Sequence, residues 1–122
     1  MARSATDRLT THQRRYRELA EGIANLGFIA AGSVVRTYNR CGKPNCRCHA
    51  DPPQPHGPYW QWTAKVGGKT VTRRLSESEA SLYQEWIRND RELRALIAEM
   101  RKVSAEATEL ITKHQTPGRA EV

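Results

Sequence analysis

The sequence has few of the residues from which a large hydrophobic core is built. Only 38% of its 122 residues are hydrophobic, and it contains one phenylalanine and two methionines. A chain of this length suffices for one compact domain, but its core must be modest. We therefore expect a local cross-link, such as a bound metal ion, to contribute to folding.

Long apolar runs are also lacking. No apolar stretch of about 18 residues or more occurs, which is the length typical of a membrane-spanning helix. The first residues include Arg3, Asp7 and Arg8, with no apolar signal-like stretch behind them. We therefore expect a cytoplasmic protein that does not contact membranes.

The three cysteines are an odd number and lie close together. Cys41, Cys46 and Cys48 fall within eight positions, among glycine, proline and asparagine residues that favour a loop. In a reducing compartment this arrangement is more typical of a metal site than of disulfides. Zinc prefers four thiolate or imidazole ligands, so the sequence predicts one bound Zn2+.

The fourth ligand is open to three candidates, His49, Asp51 and His56. His49 directly follows Cys48, and neighbouring side chains must strain the backbone to converge on one tetrahedral centre. His56 returns toward the cysteines after a proline-rich stretch. We therefore favour His56, with His49 as the main alternative.

The positive charge is concentrated in the middle of the chain. Residues 1–31 sum to +2 and residues 76–122 to −2, whereas residues 32–75 sum to +7, the net charge of the whole chain. Such an imbalance favours an anionic partner, most often nucleic acid, over a merely solvated surface. The residues expected to contact it are Arg36, Arg40, Lys43, Arg47, Lys65, Lys69, Arg73 and Arg74.

A β-hairpin is predicted between Tyr59 and Leu75. Gly67-Gly68 provides the positive φ angles that a two-residue turn needs. Counting back from this turn pairs Trp62 with Arg73 and gives one mostly apolar face, which we expect to be core. The opposite face should point outward, and its residues are Gln61, Thr63, Lys65, Thr70, Thr72 and Arg74.

Two helices are predicted to flank this sheet. The first runs from about Ser4 to Leu26, closed by Gly27, and the second begins at a capping-box pattern in which Ser76 precedes Glu79 by three residues. Apolar residues in both helices keep a seven-residue repeat, which favours a coiled-coil-like pairing within the chain or with a second copy. The predicted segments are 1–31, an N-terminal helix; 32–75, a basic zinc-binding β module; 76–115, a long C-terminal helix; and 116–122, a disordered tail. The fold class is therefore α+β, with a small three-stranded antiparallel sheet that includes a strand from about Gly32 to Arg40.

Three short motifs resemble those of an uncharacterised family of short prokaryotic proteins. They are CGKPNCRC from Cys41, HGPY from His56 and GGKT from Gly67. Many members of that family lie near mobile elements, so the resemblance implies a role in such a system. It also supports His56 as the fourth ligand, because this histidine belongs to the motif whereas the position of His49 is commonly alanine.

These observations favour a zinc-stabilised nucleic-acid-binding accessory or regulatory protein, with DNA more strongly expected than RNA. A shell of three thiolates and one imidazole leaves no open position for water, and no nucleophile triad or phosphate-binding loop occurs, so we expect no enzyme. The alternative is a protein–protein assembly module. In that case residues 82–111 would bind a second copy or a larger protein.

Overall fold

The structure, a computed structural model, describes residues 4–113. Within them lie two α-helices and a three-stranded antiparallel sheet, which confirms the predicted α+β class. His114 and the predicted tail, residues 116–122, lie outside the described residues. The elements in chain order are α1 (Ala5–Ala24), β1 (Ser33–Asn39), a single 3-10 turn (Arg47–His49), β2 (His56–Val66), β3 (Lys69–Leu75) and α2 (Glu77–Lys113).

Helix α1 begins where the sequence predicts and ends earlier. The Ser4 Oγ accepts a hydrogen bond from the Asp7 backbone N–H at 3.1 Å, which satisfies one of the free donors of the first turn. The helix stops at Ala24, where the Asn25 N–H still reaches the Glu21 carbonyl at 3.0 Å. Gly27, predicted to close the helix, is not among the glycines with positive φ, so it is not a left-handed cap.

The sheet has the order β1-β2-β3, and its hairpin register is the predicted one. Trp62 pairs with Arg73, and Val66 pairs with Lys69 across the turn. Gly67 and Gly68 have φ angles of +58° and +81°, which a side chain would disfavour. The two-residue turn therefore fixes which side chains share each face.

Helix α2 begins with the predicted capping box. The Ser76 N–H donates to Glu79 Oε1 at 2.9 Å, and the Glu79 N–H donates to Ser76 Oγ at 3.1 Å. The hydrogen bond from the Ser76 backbone is also the main reason that the pKa of Glu79 is lowered.

The chain divides into two compact units, of which unit 2 is Gly27–Asp90. Its apolar sheet face packs against the first turns of α2 through aromatic rings: Trp62 lies 5.2 Å from Tyr83, and Tyr83 lies 5.1 Å from Trp86, between centroids. The fully or nearly buried apolar residues of this unit are Cys48, Ala64, Leu75, Ala80 and Ile87. The core is as small as the composition indicates.

Among the residues that the structure describes, unit 1 joins residues 4–26 with residues 91–113. A Cβ on Gly22 of α1 would lie 3.4 Å from the Leu96 side chain of α2, whereas His12, nearer the start of α1, contacts Glu106, further along α2. The two helices of this unit are therefore antiparallel. Leu19 and Val103 are buried apolar residues of this unit, and the two helices contact each other within one chain.

His12 makes two contacts that require a protonated ring. Its Nδ1 lies 2.7 Å from the Arg8 carbonyl oxygen, and its Nε2 lies 2.8 Å from Glu106 Oε2. Both partners accept hydrogen bonds, so both ring nitrogens must donate, as only the imidazolium can. The Arg8 carbonyl, and then the Glu106 carboxylate, raise the pKa of His12.

Neither helix, over residues 4–113, has an apolar stretch sufficient to cross a lipid bilayer.

Candidate functional site

The loop between β1 and β2 is folded so that its cysteines face one point. The Cys46 N–H donates to the Lys43 carbonyl at 3.1 Å, and the His49 N–H donates to the Cys46 carbonyl at 2.9 Å. These bonds form two successive tight turns, and Cys48 lies in the second of them, the 3-10 turn. The proline and glycine residues of this loop favour such turns, whereas they would interrupt a helix or strand.

The strand ends supply the two outer residues of the cluster. Asn39, the last residue of β1, pairs with His56, the first residue of β2. Cys41 follows Asn39 by only two residues, so sheet pairing itself brings Cys41 and His56 to the same end of the sheet.

Four predicted ligands come together in this loop. The Cys41 and Cys48 Sγ atoms lie 3.5 Å apart, and Cys46 Sγ lies 3.1 Å from His56 Nε2. All four ligand atoms lie within 4.8 Å of one another. Cys48 is fully buried, while the other three side chains are half-buried.

These spacings fit a single tetrahedral ion. Metal–sulfur bonds of about 2.3 Å and metal–nitrogen bonds of about 2.0 Å place tetrahedral ligand atoms roughly 3.5–3.8 Å apart. The observed 3.5 Å and 3.1 Å separations are close to that geometry. The donor set is three thiols and one imidazole, without a carboxylate, so the cluster is suited to a borderline-soft metal ion and can hold one.

The thiols of the cluster differ in acidity. The Cys48 backbone N–H is the main cause that lowers the pKa of Cys46 to about 6, and the Cys41 side chain adds to the effect. Burial raises the pKa of Cys48. Cys48 Sγ also accepts a hydrogen bond from the Cys41 backbone N–H at 3.3 Å. Backbone donors of this kind stabilise sulfur ligands that carry negative charge.

His49 lies outside the cluster and has another role. Its Nε2 lies 2.6 Å from the Cys41 carbonyl oxygen, to which the ring nitrogen donates. His49 therefore connects the 3-10 turn to Cys41, near the start of the loop, and is not one of the clustered ligand residues. Asp51, the remaining candidate, is exposed and is not in the cluster either.

The basic side chains of residues 32–75 all lie at the surface, although not on a single face. Lys65 and Arg74 lie on the sheet face that carries Gln61 and Thr63, while the hairpin register places Lys69 and Arg73 on the opposite face, with Trp62. Arg36 pairs with Trp60 and shares that second face. The remaining three, Arg40, Lys43 and Arg47, belong to the loop between β1 and β2. All eight side chains are exposed: Arg36, Arg40, Lys43, Arg47, Lys65, Lys69, Arg73 and Arg74.

Three of these cations have aromatic or acidic neighbours. The Arg74 guanidinium lies 4.0 Å from the Tyr59 ring centroid, and that of Arg36 lies 5.7 Å from Trp60. Arg73 extends to α2, where its Nη2 lies 3.7 Å from a Glu79 carboxylate oxygen. Arg73 is thus the most strongly compensated of the three charges.

A structured segment before β1 has no signature in the sequence. Asn89 Nδ2 donates to the Phe28 carbonyl at 2.8 Å, the Ala30 N–H donates to the Trp86 carbonyl at 3.1 Å, and Trp62 Nε1 donates to the Ala31 carbonyl at 2.9 Å. In the sequence, Asn89 stands out only as a polar residue within the apolar repeat of α2. Its partner, a backbone carbonyl 61 residues earlier, could not be read from any local pattern.

A comparison with models of protein families gives a match over most of the chain. A protein-family model described as Domain of unknown function (DUF6788) matches residues 9–89, which include the metal cluster and the whole sheet. Searches of curated proteins and of solved structures give no significant match.

Proposed function

Because this chain belongs to the DUF6788 family, whose domain has no assigned function, we propose a function from its own residues: a zinc-stabilised, DNA-binding accessory or regulatory protein. Exposed positive charge around the candidate metal centre carries this proposal. The setting in a mobile genetic element is supported only by the sequence resemblance.

Zinc is the metal that suits the cluster best. Cys41, Cys46 and Cys48 would supply three thiolates and His56 one imidazole, a ligand set common in structural zinc sites. Four protein ligands leave no position for a reacting water molecule. The ion would therefore hold the loop in place and would not take part in a reaction.

Among residues 4–113, most of the positive charge of residues 32–75 has no acidic partner. In the part of the chain that the structure describes, Arg73 is the one of the eight basic residues within ion-pair distance of a carboxylate. Asp51 is the single acidic residue of positions 32–75. Phosphates neutralise such a surface and release their own counterions, which makes binding favourable and dependent on salt.

The outer face of the hairpin offers groups for a duplex groove. Lys65 and Arg74 lie there beside the hydroxyls of Thr63 and Thr72, whose oxygens are 3.5 Å apart, and beside Gln61. Cations position a protein on phosphates, while hydroxyl and amide groups contact base edges. A two-stranded ribbon fits the major groove of B-DNA, whereas the major groove of duplex RNA is too narrow for side chains to enter. We therefore favour DNA over RNA.

The test is the salt dependence of duplex binding by a double variant, Lys65→Ala/Arg74→Ala. The parent should lose affinity steeply as salt rises, and each lost phosphate contact should reduce the slope of log affinity against log salt by about 0.9. The matched control is Arg91→Ala/Lys102→Ala, which removes the same charge from exposed positions of α2. Fluorescence anisotropy with a labelled duplex provides the measurement.

Folding of both variants is checked by circular dichroism and zinc content. Arg74 stacks on Tyr59, and an exposed contact of this kind contributes only about 0.5–1 kcal/mol, so the fold should survive. Equal slopes for the parent and the hairpin variant would show that the outer face is not the binding surface. Equal losses of duplex affinity in the hairpin variant and the control variant would show that net charge alone accounts for the effect.

A second candidate function is assembly through α2. Leu82 and Ile111, near its two ends, are 47% and 43% exposed, and single large apolar residues of this kind suit a helical partner. Val103, between them, is already buried within unit 1. Replacing Leu82 and Ile111 with glutamate should lower the solution mass of the complex if assembly is the function, and leave duplex affinity unchanged. An unchanged mass, measured by light scattering, would count against assembly.

A further inference from the structure

Unit 2 contains an aromatic groove on the sheet face that carries Trp62 and Ala64. Its volume is about 560 Å³, within the usual range of ligand-binding pockets. The ring of Phe28 lies edge-on to Trp86 at 6.5 Å, which extends the chain of ring contacts that Trp62 and Tyr83 begin. The lining residues are Phe28, Ile29, Ala30, Ala31, Trp62, Ala64, Lys65, Val66, Tyr83 and Trp86.

One wall of this groove is held in place while its side chains remain in solvent. The backbone of residues 28–31 is fixed by the hydrogen bonds from Asn89 and Trp62 and to the Trp86 carbonyl. Nevertheless Phe28 is 81% exposed and Ile29 is 50% exposed. An aromatic ring presented in this way is already positioned for stacking and loses little conformational freedom on binding.

The charges at the groove identify the kind of occupant. No carboxylate is among its lining residues. Lys69 is the register partner of Val66, a lining residue, so it lies on the same face of the sheet, at the turn end of the groove. Flat apolar walls with a cation at one end match a chain that carries planar rings on an anionic backbone.

We propose that this groove binds unpaired nucleobases of a single-stranded DNA segment, with the connecting phosphates near Lys69. Bases of any identity stack on aromatic side chains, so such a groove tolerates different sequences. The inference rests on the proposed function and extends it: the polar face would bind duplex, and the groove would bind an adjacent unpaired strand.

The test compares variants of Phe28 on two probes, a 20-nucleotide oligothymidylate and a duplex of 20 base pairs. Loss of one base–aromatic stack weakens single-strand binding by roughly 5- to 150-fold, and we expect this loss for Phe28→Ala. Duplex affinity should change less than about twofold. Phe28→Trp should bind like the parent because it keeps a stacking ring, and Phe28→Leu should behave like Phe28→Ala.

The matched control is Tyr38→Ala, which removes another exposed aromatic side chain of unit 2 that does not line the groove. It should leave both affinities unchanged. Equal affinity of the parent and Phe28→Ala for oligothymidylate would overturn the proposal. Parent-like binding of oligothymidylate by Phe28→Leu would overturn it as well, because the groove would then bind apolar partners in general, such as a helix. If the parent binds oligothymidylate but no duplex, the proposed duplex function fails while the groove stands. If it binds neither probe at low salt, both fail.

Discussion

Replacing Cys46 with serine is expected to release the metal ion, whereas replacing His49 with alanine should only weaken its binding. Cys46 Sγ lies 3.1 Å from the ring nitrogen of His56 inside the cluster. The His49 ring instead donates to a carbonyl oxygen, that of Cys41. The two variants therefore separate a residue that binds the ion from one that holds the loop.

The magnitudes follow from these contacts. One neutral hydrogen bond contributes about 0.5–1.5 kcal/mol, so the His49 variant should bind zinc roughly 2- to 12-fold less tightly. Structural zinc sites have apparent binding free energies of about 10–16 kcal/mol, and an equal share for each of four ligands corresponds to roughly 10²–10³-fold in affinity. The Cys46 variant should therefore lose roughly 8- to 500-fold more affinity than the His49 variant.

The assay has two parts, zinc content after dialysis and competition with a chromophoric chelator. The parent and His49→Ala should retain about one zinc per chain, while Cys46→Ser should retain less than half an equivalent. Circular dichroism monitors whether the sheet survives. Equal loss of zinc from both variants would place His49 among the ligands, and full retention by Cys46→Ser would refute the proposed set.

Three further predictions concern the two units separately. The pKa of His12 is raised in the folded protein by the Arg8 carbonyl and then by Glu106, so the stability from these two contacts is complete below the ordinary histidine value of about 6.5 and is lost as the pH rises through the folded-state pKa. The thermal midpoints of the parent and His12→Gln should therefore converge at high pH, and a constant difference would argue against these contacts. Gly22→Ala should stabilise unit 1 by about 0.5–1 kcal/mol, because a Cβ there would meet Leu96 at an ordinary 3.4 Å, and denaturant unfolding would show a lower midpoint if the helices cannot accommodate it. Gly32→Ala should destabilise unit 2 and lower its thermal midpoint, because φ at Gly32 is +102° and the added Cβ would overlap the Thr63 carbonyl oxygen of β2. An unchanged midpoint would mean that the backbone at Gly32 can shift freely.

The hairpin and the start of α2 were predictable because each depends on neighbours in sequence. Gly67-Gly68 sets the turn, and the period-2 alternation then determines every pair of the register. The capping box at Ser76 likewise involves residues only three positions apart. Local rules of this kind require no knowledge of the rest of the fold.

Other features depend on contacts that the sequence does not reveal. α1 ends at Ala24 and not near Gly27, and the segment that follows is bound to α2 by the hydrogen bond from Asn89 to the Phe28 carbonyl. The sequence favoured His56 over His49, and the cluster contains His56. The pairing of Asn39 with His56, which brings His56 to the same end of the sheet as Cys41, could not be read from the cysteine spacing.

The connection between β1 and β2 has a consequence for how the sheet assembles. Hairpins with short turns form within about 1–10 μs, which applies to β2 and β3 with their two-residue turn. β1 can pair with β2 only after the 16-residue segment from Arg40 to Pro55 has closed. Closure of a flexible loop is opposed by the loss of its conformational entropy. An ion bound by Cys41 and His56 clamps both ends of that loop, so metal supply would govern how fast the third strand docks. A newly made chain in a zinc-poor cell would keep its hairpin but present β2 as an open edge, the kind of surface on which chains aggregate.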